Sequence, residues 1–530
     1  MQSRFAFGGL AVAAITAIGG LGLAGLASPA SAAPAAAAAV TIPAKPYDFN
    51  GDGYVDEAIG SPYGTVSGHK SAGFVNIIYG STKGLNTAKH QVFSQNSANV
   101  PGTAEGTDHF GYALASADFN QDGYADLAIG VPDEDTPNGA NAGTVDYLFG
   151  SKSGLVAVAG AADDEPVSTD DQGNVISGPG PSHRWGESLS IGDIEHDGFV
   201  ELFITIPGNG DVGIFTTKPE PTPAAKGAEG AKRIFASRGV VAGRQSAKSS
   251  AKGEVGTLST ADVNSSWVAT GDVTGDGHDD LVYAWYDADW PDPAGRHGFK
   301  VLPGAADGGL SDAPEIDGVD VNSLTLGDFN GDGFADVAVG QTADANHRGG
   351  QVKVYKGAAT NVTADAGGSY VLNQETPFVE GSGETGDGFG ASVAAGDINK
   401  DGKADLAIGA PTEDVGKVAD AGATFVLYGS ATGVTGAGSQ VFTQNTAGVP
   451  GGAEKGDKAG TQVTLLDDNK DGLSDLTIGA PAENAGDGVI TWLKGTTSRL
   501  TTTGCIAVYA PTFGVKGKKA ELGRRLGRLG

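Results

Sequence analysis

Short apolar runs recur along this chain, each led in by an acidic loop and led out by a turn. Ala58-Ile59, Leu127-Ala128-Ile129, Val337-Ala338-Val339, Leu406-Ala407-Ile408 and Leu476-Thr477-Ile478 are clear cases. Gly-Val-Pro or Gly-Ala-Pro follows at 130–132, 409–411 and 479–481. A second strand-like run comes next, as in GTVDYLFGS (143–151) and GATFVLYGS (422–430). Several loops are preceded, eight residues upstream, by an aromatic-Gly pair: Phe110-Gly111, Trp185-Gly186 and Phe389-Gly390. No helical period interrupts this pattern, so each unit reads as about four short strands joined by tight turns.

The loop occurs seven times, as 48-DFNGDGYVD, 118-DFNQDGYAD, 193-DIEHDGFVE, 272-DVTGDGHDD, 328-DFNGDGFAD, 397-DINKDGKAD and 467-DDNKDGLSD. Successive copies start 70, 75, 79, 56, 69 and 70 residues apart. Seven four-stranded units at that period predict an all-β fold, a seven-bladed β-propeller with the blades arranged radially. The first loop comes before any upstream strand, whereas the C-terminus carries an extra segment, APTFGVKGKKAELG, with its own Phe513-Gly514 pair. We therefore expect this tail to supply the missing strand of blade one and so cover two open sheet edges. The expected organisation is a secretory signal over 1–32, a linker over 33–45 and the propeller over 46–530, with insert loops at 160–184 and 216–262.

The signal reading rests on Arg4, the apolar stretch after it and Ala30-Ser31-Ala32, a small-residue cleavage pattern. It predicts a secreted chain, extracellular or cell-wall associated, with no transmembrane span after cleavage. The single cysteine, Cys505, excludes an internal disulfide, so an exported protein of this kind needs another staple, and metal is the candidate. A net charge of −30 argues against nucleic acid as a partner.

In D-x-N-x-D-G-x-x-D, oxygen-bearing side chains fall at positions one, three, five and nine, and glycine holds position six in every copy. Position seven can offer its backbone carbonyl. Hard oxygens without thiolate or imidazole favour calcium over transition metals. The end of the loop departs from an EF-hand: position twelve is Ile59 in the first copy and Ile129 in the second. The competing reading is a metal-free Asx-turn. Loops three and four are the weakest candidates, because loop three has Glu195 and Glu201 and loop four has Thr274. The four positions hold 22 carboxylates in total, and seven calcium ions would bring −30 to −16.

The Phe-Gly pair, the acidic loop and the Gly-Ala-Pro turn, in that order, resemble the FG-GAP repeats of the integrin α-chain propeller, and more closely those of bacterial secreted FG-GAP proteins. The resemblance covers about residues 46–530. It implies a seven-bladed propeller with calcium in its blade loops. The first ion would be held by Asp48, Asn50, Asp52, Tyr54 (through its carbonyl) and Asp56. The matching sets are Asp118, Asn120, Asp122, Tyr124 and Asp126 in loop two; Asp193, Glu195, Asp197, Phe199 and Glu201 in loop three; and Asp272, Thr274, Asp276, His278 and Asp280 in loop four. Loops five to seven supply Asp328, Asn330, Asp332, Phe334 and Asp336; Asp397, Asn399, Asp401, Lys403 and Asp405; and Asp467, Asn469, Asp471, Leu473 and Asp475. The pattern departs from the family where Ala459-Gly460 replaces Phe-Gly and where blades four and five lack the pair.

No G-x-S-x-G elbow and no H-E-x-x-H pair occurs in the sequence; Gly186-Glu187-Ser188-Leu189-Ser190 is a near miss in a strand. Acidic turns such as Asp133-Glu134-Asp135 and Glu413-Asp414 read as solvated loop ends. Residues 216–253 carry eight Lys or Arg and two Glu, and read as a surface loop or an arm for an anionic wall polymer. Residues 283–298 bring Trp285 and Trp290 into blade four beside Trp267, either as a sugar-stacking patch or as packing. The expected function is an extracellular binding or adhesion module for a protein or glycan. The alternatives are an extracellular hydrolase or lyase acting on polysaccharide or lipid, and a structural envelope component.

Overall fold

The computed structural model describes residues 44–527, apart from 165–167, 170–174, 178–179, 209–210, 218–235, 243–264, 288–295, 363–366 and the single positions 307, 312, 516 and 518. The signal segment and nearly all of the linker lie outside the described residues, as does Trp290. Seven four-stranded antiparallel sheets make up the described chain, with a short hairpin pairing Ser168–Thr169 with Val175–Ser177. Blade two shows the plan. Its inner strand Ala113–Ala117 pairs with Asp126–Val131, which pairs with Thr144–Phe149, which pairs with the outer strand Val156–Asp163.

The inner strands touch one another in order around the ring, from Ala113–Ala117 through Leu189–Gly192, Ser265–Gly271, Ser323–Gly327, Ser392–Gly396 and Gln462–Leu466 to Arg525–Leu526, which touches Ala113–Ala117 again. Seven hydrophobic clusters each join neighbouring blades, including one across the seam between blades seven and one. The second strands are sandwiched by blades on both sides, which is why they read as unbroken apolar runs: Asp126–Val131 and Asp405–Ala410 are buried throughout. The outer strand of blade one, Asn86–Phe93, is mostly exposed and correspondingly polar.

The repeated sequence marks are the joints between blades. The Phe110 N–H donates to Ala72 O of the preceding blade, while the Gly111 N–H donates to Gly130 O of its own. Phe389 and Gly390 do the same to Gly349 O and Gly409 O. The glycine of the Gly-x-Pro turn is fixed by the next joint: a Cβ on Gly130 would lie 2.0 Å from Gly186 O, and one on Gly409 1.9 Å from Gly460 O. Backbone meets backbone there, so no side chain fits.

The C-terminus closes the ring, with Gly60 and Ile59 pairing to Arg525 and Leu526. The pair that makes this joint is Leu522-Gly523, not Phe513-Gly514. The Leu522 N–H donates to Asp487 O, and Gly523 O crowds Gly479 as its counterparts do elsewhere. Ala510–Phe513 forms a 3-10 turn instead, and Phe513 packs into the seam beside His90. Ala459 likewise fills an aromatic position, with its N–H on Ala421 O.

Two inserts contain blade strands. Val156–Asp163 runs into the 160–184 segment, and Ala236–Ala242, inside the basic 216–262 segment, pairs with Asp211–Thr216 as the outer strand of blade three. The third strand of that blade would otherwise be an open edge. Residues 283–287 and 296–298 lie in the paired strands Asp280–Asp287 and Arg296–Leu302, and Trp285 is buried against Tyr283 with ring centroids 5.7 Å apart. Among the described residues no helix is long and apolar enough to cross a membrane.

Candidate functional site

Because strands alternate within each blade, the connections fall on two faces. The acidic loops lead into the second strands on one face, and the Phe-Gly joints and Gly-x-Pro turns lie on the other.

All seven loops share one hydrogen-bond skeleton. In loop one the Asp48 carboxylate accepts the Asp52 N–H (3.0 Å) and the Gly53 N–H (2.8 Å), and Asp52 accepts the Tyr54 N–H (3.1 Å). Loops three and four keep this arrangement: Asp193 accepts Asp197 and Gly198 N–H, and Asp272 accepts Asp276 and Gly277 N–H. Thr274 turns its hydroxyl toward Asp280, 3.4 Å away.

Position nine does something the spacing does not reveal. Asp56 accepts the Phe49 N–H (3.0 Å) with one oxygen and the Gly80 N–H (2.9 Å), at the exit of the third strand, with the other. Asp126, Asp280 and Asp405 repeat this strut through Gly150, Gly304 and Gly429. Burial pushes the carboxyls of Asp56 and Asp126 up to about 8 and those of Asp405 and Asp475 up to about 7, against these backbone hydrogen bonds.

The loops therefore gather hard oxygens of the right kind, and in loops one and two the carboxylates at positions one and five add to the rise in proton affinity at position nine. That donor set fits calcium. As oriented, the side chains bond backbone N–H groups, and among the described residues no three His, Cys, Asp or Glu side chains form a ready cage. Lysines reach position five in two loops, with Lys494 2.9 Å from Asp471 and Lys403 3.8 Å from Asp401.

At the opposite face the central channel opens into a cavity of about 230 Å³ at the starts of the inner strands. Tyr112, Glu187, Ser266, Trp267, Gln462 and Arg525 line it, from five blades. Glu187 sits 3.5 Å from Arg184, which also lies 3.4 Å from Asp133. Asp133 in turn lies 2.7 Å from His109 Nδ1. Burial pushes the Glu187 carboxyl up to about 7, against the pull of Arg184 and Arg525. The Arg525 guanidinium lies over the Tyr112 ring, 4.4 Å from its centroid. Sequence reading missed this cluster, because its residues come from several separate blades and share no local motif.

It also misread the acidic turns. Glu134 accepts a hydrogen bond from Gln95 Nε2 (2.7 Å), Glu413 from Gln374 (2.8 Å) and Glu483 from Gln444 (2.8 Å), each pair 39 residues apart and joining successive blades. The signal was present as a Gln just after the outer strand and a Glu two residues past Gly-x-Pro.

Comparison with known proteins accords with this build. The FG-GAP repeat family matches residues 110–148, 321–355 and 389–427. A stretch of 174 residues is 32% identical to integrin alpha-PS5 of Drosophila melanogaster, covering 32% of this chain and 15% of the integrin. Integrin alpha-3 of Cricetulus griseus is 29% identical over 164 residues, 31% of this chain and 14% of its own length. Phosphatidylinositol-glycan-specific phospholipase D of Bos taurus is 33% identical over 100 residues, 19% of this chain and 11% of the phospholipase. Each match thus spans less than a sixth of the relative's length.

Proposed function

We propose that this chain, an FG-GAP repeat β-propeller, works outside the cell as a calcium-loaded binding module for a protein or glycan ligand, with cell-wall polymer among the candidate glycans. The observation that carries the reading is the two-faced ring: seven equivalent oxygen-rich loops on one side and a polar, arginine-bearing mouth on the other. Likeness to integrin α chains supports an extracellular setting and an adhesive role, and the N-terminal signal pattern supports secretion. Calcium would be held by positions one, three, five and nine of each loop and by the position-seven carbonyl, with loops three and four the weakest. Bound there, it supplies positive charge to carboxylates that otherwise repel one another.

The test is to screen the purified protein in millimolar calcium against glycan and extracellular-protein arrays, with elemental analysis for bound metal. Saturable binding without turnover, and several calcium ions per chain, supports the module. Metal-free protein with no ligand overturns it. The phospholipase relatives favour a second reading, an extracellular hydrolase acting on lipid or polysaccharide. Release of product from phospholipid or polysaccharide by the same preparation would replace the first reading with this one.

A further inference from the structure

We propose that the channel mouth binds one hexuronate, a cyclic sugar acid, with its carboxylate on Arg525 and its hydroxyls on Glu187 and Ser266. The inference rests on the binding-module reading and names the ligand class for it.

Among the described residues, Arg184 and Arg524 are each paired with carboxylates: Arg184 with Asp133 and Glu187, and Arg524 with Glu521 at 2.8 Å. Arg525 has no such ion pair among those residues. Stacking on Tyr112 holds its planar fork at the cavity wall, and a guanidinium held in this way suits a carboxylate taken by two parallel hydrogen bonds.

The other wall carries a hydroxyl without a hydrogen-bond partner. Ser266 is 2% exposed, and its hydroxyl has none. Glu187, whose side chain is 9% exposed, has Oε2 3.5 Å from Arg184 Nε, an ion pair without a hydrogen bond. Buried polar atoms are almost always bonded, so the Ser266 hydroxyl is the group on this wall that wants a polar partner. A carboxylate accepts hydrogen bonds and a serine hydroxyl does both, which is what sugar hydroxyls require.

The size agrees. About 230 Å³ falls below the 300–1,000 Å³ typical of drug-sized ligands and suits a single ring. A neutral hexose would leave Arg525 unused, and inorganic phosphate would meet the Glu187 carboxylate. Only a ligand with both an anionic end and a hydroxylated body uses both walls.

Titration calorimetry and saturation-transfer NMR with glucuronate, glucose and inorganic phosphate, in millimolar calcium, test the site. Glucuronate should bind, with glucose at least about tenfold weaker and phosphate weaker still. Arg525→Gln keeps the backbone pairing of the closing strand and should weaken glucuronate by about ten- to a hundredfold at an unchanged melting temperature. Ser266→Leu fills the cavity from blade four, leaves the closing strand untouched and should abolish binding. Equal affinity for glucose, undiminished binding by folded Arg525→Gln, or no binding of glucuronate at all would overturn the proposal. If the arrays yield another ligand that wild type and Ser266→Leu bind equally, this site fails while the module reading stands. If every ligand fails, both fall.

Discussion

Position six of the acidic loop takes φ values from 79° to 90° across the seven copies, whereas position four takes 51° to 75°. Position four lies close to the ordinary left-handed well near +57°, which asparagine, lysine or glutamine can occupy at modest cost. Position six lies near +80°, the corner of a type II turn that strongly favours glycine. That difference explains why position four accepts Gln121, His196, Lys400 and Lys470 while position six is always glycine. Loop six allows a clean test, because a Cβ on Gly402 meets nothing within 4 Å and the cost would be backbone strain alone. Gly402→Ala should lose about 1–2 kcal/mol in urea denaturation. Lys400→Gly, two residues away at φ 62°, should change stability by less than about 1 kcal/mol. Equal losses for the two would contradict the distinction. Oxygen positions and the turn were legible because they repeat in sequence. The strut at position nine was not, since Asp56 and Asp126 reach a glycine 24 residues on, across a hairpin that has to fold first.

At the scale of strands, blade count and strand number per blade followed from periodicity, but the closing joint did not. The tail offered a Phe-Gly pair in Phe513-Gly514, and the fold uses Leu522-Gly523, because the joint is defined by backbone contacts with Asp487 and Gly479 and not by an aromatic ring. Leu522 is fully buried in the seam cluster with Trp492 and Leu526. Leu522→Ala should therefore cost about 2–5 kcal/mol, while Val158→Ala on an exposed outer strand should cost under about 0.5 kcal/mol. The Gln-Glu staples between blades give a pH signature. Burial, together with the facing Asp387 and Glu384 carboxylates, raises Glu413 from 4.5 to about 7, while the Gln374 amide pulls the other way. A carboxyl raised on folding holds its proton more tightly in the native state, so its stabilisation is complete below 4.5 and is lost as pH climbs through 7. The melting temperature of Glu413→Gln should thus fall less than that of wild type between pH 4.5 and 7. Parallel curves would show that the staple does not titrate in this range.

At the scale of the whole ring, the question is what opposes the charge. The chain carries a net −30, and 22 carboxylates stand at the loop positions on one face. The backbone N–H groups that fill these carboxylates are dipoles and leave the net charge unchanged. The lysines at Asp471 and Asp401 serve only loops seven and six. Two outcomes separate a cation cage from an acidic turn. If the loops bind calcium, each site adds about 2.7 kcal/mol when calcium is at a hundred times its dissociation constant. The melting temperature should then rise steeply through the millimolar range and fall on chelation. Calcium should act far more strongly than sodium chloride of equal ionic strength, because screening weakens repulsion without occupying a site. If the loops are only turns, calcium and matched salt should move the melt by the same small amount. Loops six and seven supply an internal check. With a lysine already at position five, Asp401→Asn and Asp471→Asn should reduce the calcium-induced rise less than Asp122→Asn in loop two, where among the described residues no lysine pairs with the loop. If the order is reversed, the lysines are not substituting for the ion, and the charge argument for calcium fails along with them.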